Sequence, residues 1–140
     1  MKKTEYRLIP HTADICIEVT AKTLRDLYLT SAHALIDQMI IVKKGGKTVM
    51  HHITVNAIDR NALLVNWLQE ILYNFYVGGL IYNGAAIKKL TTKKLTAETT
   101  FFKFDPGIHS LKQEIKAVTY HNLNITRKKT GFAVRVIFDV

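Results

Sequence analysis

Asp59-Arg60-Asn61-Ala62-Leu63-Leu64-Val65-Asn66-Trp67-Leu68-Gln69-Glu70-Ile71-Leu72-Tyr73-Asn74-Phe75-Tyr76-Val77-Gly78-Gly79 is the stretch whose reading decides the fold. Leu63, Leu64, Trp67, Leu68, Ile71, Leu72 and Phe75 recur at helical spacing and make one wide apolar stripe. Asn66, Gln69, Glu70, Tyr73 and Asn74 fall on the opposite face. Asp59 or Asn61 supplies an oxygen that can cap the helix start, and Gly78-Gly79 ends it. A stripe that wide needs a second layer to cover it, and the flanking segments show what the layer is.

Upstream, residues 48–57 read as a strand with Val49, Ile53 and Val55 facing one way. Lys43-Lys44-Gly45-Gly46-Lys47 reads as a loop. Leu24, Leu27, Tyr28, Ala32, Leu35 and Met39 share one face of a predicted helix over 24–40, with Thr23 and Asp26 as its capping signal. Before it, Ile15, Ile17 and Val19 alternate with Cys16, Glu18 and Thr20, and a short extended segment over 5–9 stops at Pro10. Downstream, strands are predicted over 85–90, 94–104, 114–126 and 132–139. The turns between them are Asp105-Pro106-Gly107 and Lys128-Lys129-Thr130-Gly131. The pattern is a single α+β domain over 1–140. Two helices pack on a mostly antiparallel sheet, in the order β-β-α-β-α and then several strands.

The chain has 140 residues, 48% hydrophobic and 22% charged, which are globular values. The lone cysteine, Cys16, excludes an intramolecular disulfide and a Cys-Cys-His-His zinc site, so a reducing, cytoplasmic setting is expected. No secretory signal and no membrane span are read from the sequence, and no membrane partner is expected. The net charge is +9 and unevenly placed: residues 1–82 carry +2 and residues 83–140 carry +7. A field of that sign suits nucleic acid or an acidic partner, or serves solubility alone.

The motifs of common enzymes are missing. There is no phosphate-binding G-x-x-x-x-G-K-[ST] loop, no G-x-G-x-x-G, no G-x-S-x-G and no H-E-x-x-H. Cys16 lies in an apolar strand and reads as a buried thiol. His51 and His52 are neighbours in a strand and project to opposite faces, so they cannot easily share a metal. Two segments look less like scaffold. Pro10-His11-Thr12-Ala13-Asp14 joins two strands, and could be an ordinary turn closed by an Asx bond. Phe138-Asp139-Val140 sets a side-chain carboxylate next to the terminal carboxylate of Val140. Such a pair is either solvated or compensated by a cation, and oxygen donors alone select hard ions such as Ca²⁺, Mg²⁺ or Mn²⁺.

Four blocks, in order, resemble the archease family of small accessory proteins of RNA ligation. They are His11-Thr12-Ala13-Asp14-Ile15, the helix from Asp59 to Tyr73, Ile115-Lys116-Ala117-Val118-Thr119-Tyr120-His121, and the ending Arg135-Val136-Ile137-Phe138-Asp139-Val140. Departures are few: no glycine stands around Ala21 or Lys22, and Gln69 stands where the family often has asparagine. The resemblance implies a cofactor protein with no ligase activity of its own. Its implied partner is an RtcB-type GTP-dependent RNA ligase of tRNA splicing, whose guanylylation and multiple turnover it promotes, with RNA met through the ligase. It implies a divalent metal site, calcium first and Mg²⁺ or Mn²⁺ next, on Asp14, Asp139 and the terminal carboxylate of Val140. His11 is either a ligand, a group orienting Asp14, or a loop histidine bonded to backbone. Lys116, Thr119 and His121 match the family's strand motif, with Thr119 and His121 expected on one strand face and Lys116 on the other. The resemblance also implies modulation of RNA-modifying enzymes such as tRNA methyltransferases; apart from it, the charge leaves open a small basic RNA-binding domain with no enzyme partner.

Overall fold

The structure is a computed structural model and describes residues 5–10 and 14–140. Both helices begin on side-chain caps. Thr23 Oγ1 accepts the Asp26 N–H (3.1 Å) at the start of α1 (Leu24–Met39), and Asp59 Oδ1 accepts the Ala62 N–H (2.8 Å) at the start of α2 (Arg60–Gly78). Gly79 closes α2 in the left-handed region, at φ 64°. Asn61, the alternative cap, has another task described below.

Among the described residues, ten strands surround the helices: β1 (Glu5–Ile9), β2 (Ile15–Ala21), β3 (Ile40–Val42), β4 (Thr48–Asn56), β5 (Leu80–Leu90), β6 (Lys94–Lys103), β7 (His109–Leu111), β8 (Ala117–Val118), β9 (Thr126–Lys128) and β10 (Gly131–Asp139). All their pairings are antiparallel. One five-stranded sheet runs β1-β2-β10-β8, with β9 also on β10; a second runs β4-β6-β5; β3 and β7 pair apart. The helices therefore bridge two main sheets. α1 packs on β2 and β5, and α2 packs on β4, β5 and β8.

One core joins these layers. Ile17 and Val19 of β2, Leu27 and Leu35 of α1, the α2 stripe, Phe101 of β6 and Val136 and Phe138 of β10 belong to the same cluster. Trp67 is fully buried and its indole N–H donates to the Tyr28 carbonyl (3.0 Å), tying the helices together. The Tyr28 hydroxyl donates in turn to the Arg60 carbonyl (2.7 Å), and burial pushes its pKa up. Cys16 is buried and burial likewise raises its thiol pKa, in keeping with an inert thiol. No described helix is both long and apolar enough to cross a membrane.

The architecture differs from the sequence reading in several places, among them an earlier start of β5 at Leu80 and the unpredicted β7 and β9. The strands form three sheets instead of one. The run Ile40-Ile41-Val42 leaves α1 as an extra strand, because β-branched residues extend readily once β7 offers a partner. The predicted strand over 114–126 is not one continuous strand: Ala117–Val118 pairs with β10, and Thr126 at its far end opens β9, which pairs with β10 separately. Beyond Val118 the Thr119 Oγ1 accepts the His121 N–H (3.3 Å), Leu123 N–H bonds to the Tyr120 carbonyl (3.0 Å), and Asn122 sits at φ 54°. Thr and Asn side chains compete with the ladder for backbone groups, so this segment turns despite its alternating pattern.

Candidate functional site

The site sits where three chain segments meet at one end of the five-stranded sheet. β10 lies between β2 and β8, and Phe138 pairs with Ile15 on one side and Val118 on the other. Asp139 follows Phe138 and Asp14 precedes Ile15, so antiparallel register carries both aspartates to the same end of neighbouring strands. Such strands lie about 4.8 Å apart, and cross-strand partners project from the same face. Asp14 is half-buried and Asp139 exposed. Val140 packs partly against the core, which holds the end of β10 in place.

On the other side of β10, the Lys116 N–H donates to the Asp139 carbonyl (2.7 Å) and the Thr119 N–H to the Ile137 carbonyl (3.0 Å). The main-chain carbonyl of Asp139 is thus satisfied by the neighbouring segment. Among the described residues no group of three or more His, Cys, Asp or Glu side chains is arranged to hold a metal. Asp14 and Asp139 are two such side chains, and the Val140 carboxylate is the third oxygen donor of the expected set. The donor chemistry suits a hard cation. His11 lies outside the described residues.

Lys116, Thr119 and His121 do not share a strand. His121 is exposed in the turn after β8, its Nε2 3.3 Å from the Asn122 side-chain amide. Lys116 instead lines an open groove of about 580 Å³ along the outer face of α2, with Asn66, Gln69, Glu70, Tyr73 and Tyr76.

Side chains of α2 outside its apolar stripe hold the irregular segment over 115–125 in place. The Tyr76 hydroxyl donates to the Ile115 carbonyl (2.9 Å) and accepts the Ile115 N–H (3.2 Å). Gln69 Oε1 accepts the Val118 N–H (3.4 Å), Asn61 Oδ1 the Ile125 N–H (2.9 Å), and Tyr120 donates to Asn66 Oδ1 (3.3 Å). Backbone groups that no ladder satisfies are satisfied by side chains of α2. The repeated amides and phenols on one helix face were the available signal. Gln69, the departure from asparagine, has a definite partner here.

The sequence pattern of the Archease protein family (MTH1598/TM1083) matches residues 6–140. This chain belongs to the archease family. It is 30% identical over 140 residues to protein archease of Methanosarcina barkeri, covering 97% of this chain and 96% of the relative. It is 36% identical over 124 residues to protein archease of Pyrococcus furiosus, covering 86% and 87%. Two solved archease-type structures share the fold. The solution structure of Methanobacterium thermoautotrophicum protein 1598 has TM-score 0.72 at 23% identity, covering 96% of this chain and 98% of that one. The crystal structure of the Thermotoga maritima archease, described as a possible chaperone, has TM-score 0.65 at 22% identity, covering 94% of each.

Proposed function

We propose that this archease is an accessory factor of an RtcB-type GTP-dependent RNA ligase, promoting the ligase's guanylylation and multiple turnover in cytoplasmic tRNA splicing. Asp14, Asp139 and the Val140 carboxylate would hold one divalent cation, calcium in the first instance, with Mg²⁺ or Mn²⁺ as alternatives. The observation that supports this most is the convergence of two family blocks, the one containing Asp14 and the one ending at Val140, on one sheet end. Side chains at strand ends are held by the sheet, so the donors need little ordering. The groove beside Lys116, rimmed by exposed Tyr73 and Val77, gives a partner protein an apolar surface next to that end. No residue is assigned a catalytic role.

Multiple-turnover ligation by the cognate ligase, with and without this protein, tests the reading. Substoichiometric amounts should raise the rates of guanylylation and ligation, and the protein alone should ligate nothing. Asp14→Ala and Asp139→Ala should fold normally yet lose both metal binding and stimulation. Guanylylation rates that do not move across a range of concentrations would sink the proposal. A second reading, suggested by the Thermotoga protein's description as a possible chaperone, is modulation of an RNA-modifying enzyme such as a tRNA methyltransferase. Stimulation of the methyltransferase with no effect on the ligase would favour it.

A further inference from the structure

The opposite end of β10 carries a different chemistry. From Gly131 to Asp139 the strand extends about 26 Å, at about 3.3 Å per residue. At its Gly131 end the β9–β10 hairpin meets the start of α1. Gly131 packs so closely on Ala21 that an added Cβ would lie 2.1 Å from the Ala21 carbonyl oxygen. This contact brings Lys22 and Arg25, from the nearly neutral first half of the chain, beside Arg127 and Lys128 of the basic half. Two shallow, adjoining depressions, about 540 and 400 Å³, result. Lys22 and Phe132 line both.

Phe132 is half-buried and lies under two guanidinium groups, Arg127 at 5.2 Å and Arg60 at 5.8 Å from the ring centroid. Arg25 is held by a hydrogen bond to the Ile87 carbonyl. None of these five cations (Lys22, Arg25, Arg60, Arg127, Lys128) is ion-paired with a carboxylate among the described residues. Arg7 and Arg135, elsewhere on the same sheet, both pair with Glu18 at 2.7 and 3.0 Å. The carboxylate of Asp59 caps α2, Asp26 lies in the first turn of α1, and Glu5 pairs with Thr20, which lines one of the depressions. The hairpin end is thus a cluster of five cations drawn from four segments around an aromatic ring, outnumbering the acids near it.

We infer that this end binds the phosphate backbone of single-stranded RNA directly. Guanidinium groups match phosphate in a bidentate way, and guanidinium planes held over an aromatic ring offer an unpaired base a stacking surface beside the phosphate contacts. An acidic protein surface would need the cations but not the ring. The inference does not rest on the ligase reading, and it gives the molecule two ends: carboxylates at one, RNA at the other.

Anisotropy of a labelled oligouridine of about 12 nucleotides, titrated with the full chain at several salt concentrations, tests it. Wild type should bind, with affinity falling steeply as salt rises. The double variant Arg127→Glu/Lys128→Glu should lose about tenfold or more at low salt, and its salt slope should flatten by about 1.4, at about 0.7 per lost phosphate contact. Lys22→Glu/Arg25→Glu should act likewise, which guards against an effect peculiar to the hairpin. Phe132→Leu keeps every cation but removes the ring beneath the Arg127 and Arg60 planes, and should still lose about fivefold. Lys44→Glu/Lys47→Glu changes the charge equally in a loop at the far end of β4 and should change affinity less than about twofold. Equal losses in that control, or no binding by wild type at low salt, would overturn the inference. So would a polyglutamate peptide that displaces the RNA at equal charge concentration, since the surface would then favour acidic protein.

Discussion

Glu18 shows how one side chain sets a pH dependence. It accepts hydrogen bonds from Arg135 and Arg7, and these hold its carboxyl below the ordinary glutamate value of 4.5. The unfolded chain therefore takes up a proton at Glu18 at higher pH than the folded one. The resulting stability is complete above about 4.5 and is lost as pH falls through the lower folded value. Thermal melting across pH 3 to 7 should show this acid loss in wild type and a shallower one in Glu18→Gln. Gly131 is the sharper case. Its φ is 153°, and a methyl group there meets backbone, not a movable side chain. Gly131→Ala should cost about 2 kcal/mol or more in urea unfolding, because strain at a special φ/ψ and a backbone clash act together. The same variant should disturb RNA binding at the hairpin end while leaving metal binding at the other end of β10 unchanged.

At the scale of elements, α2 does two jobs. Its apolar stripe fills the core, and its side chains outside that stripe fasten the segment over 115–125, which includes the family block with Lys116, Thr119 and His121. Tyr76 is the clearest fastener, since one hydroxyl serves both the N–H and the carbonyl of Ile115. Tyr76→Phe should lower stability by about 1 to 2 kcal/mol. Amide exchange should speed up most at Ile115 and Val118, with little change in β6. Uniform acceleration across the molecule would show that the hydroxyl serves global stability only. The helix itself was legible: the stripe, the Asp59 cap and the Gly79 stop all follow from local chemistry. The task of its other side chains was not, because amides facing water and amides facing a loop look alike along the chain.

At the scale of the molecule, the proposed metal site links the two ends of the sequence. An ion that binds only the folded state raises apparent stability, by about 2.7 kcal/mol at a hundred times its Kd. Calcium should therefore raise the melting temperature of wild type in a concentration-dependent way and leave Asp139→Ala unmoved. Appending residues after Val140 should weaken the effect, because it displaces a carboxylate. Equal shifts in wild type, Asp14→Ala and Asp139→Ala would remove those residues from the site.

Most elements were determined by the sequence alone. Periodicity placed α1, α2, β2, β4, β6 and β10, and cap and turn residues set their limits, because those signals act over a few residues. The residues proposed to hold a metal rest on the family resemblance of the blocks His11–Ile15 and Arg135–Val140. Only the tertiary structure decided the rest. The segment over 114–126 alternates like a strand, yet its backbone bonds go mostly to turns and to α2, partners about 40 to 65 residues away in the chain. The charge excess in residues 83–140 was visible, but not that Lys22, Arg25 and Arg60 join it. That depends on Gly131 admitting the Ala21 backbone, and a contact between residues so far apart leaves no local pattern for either to show.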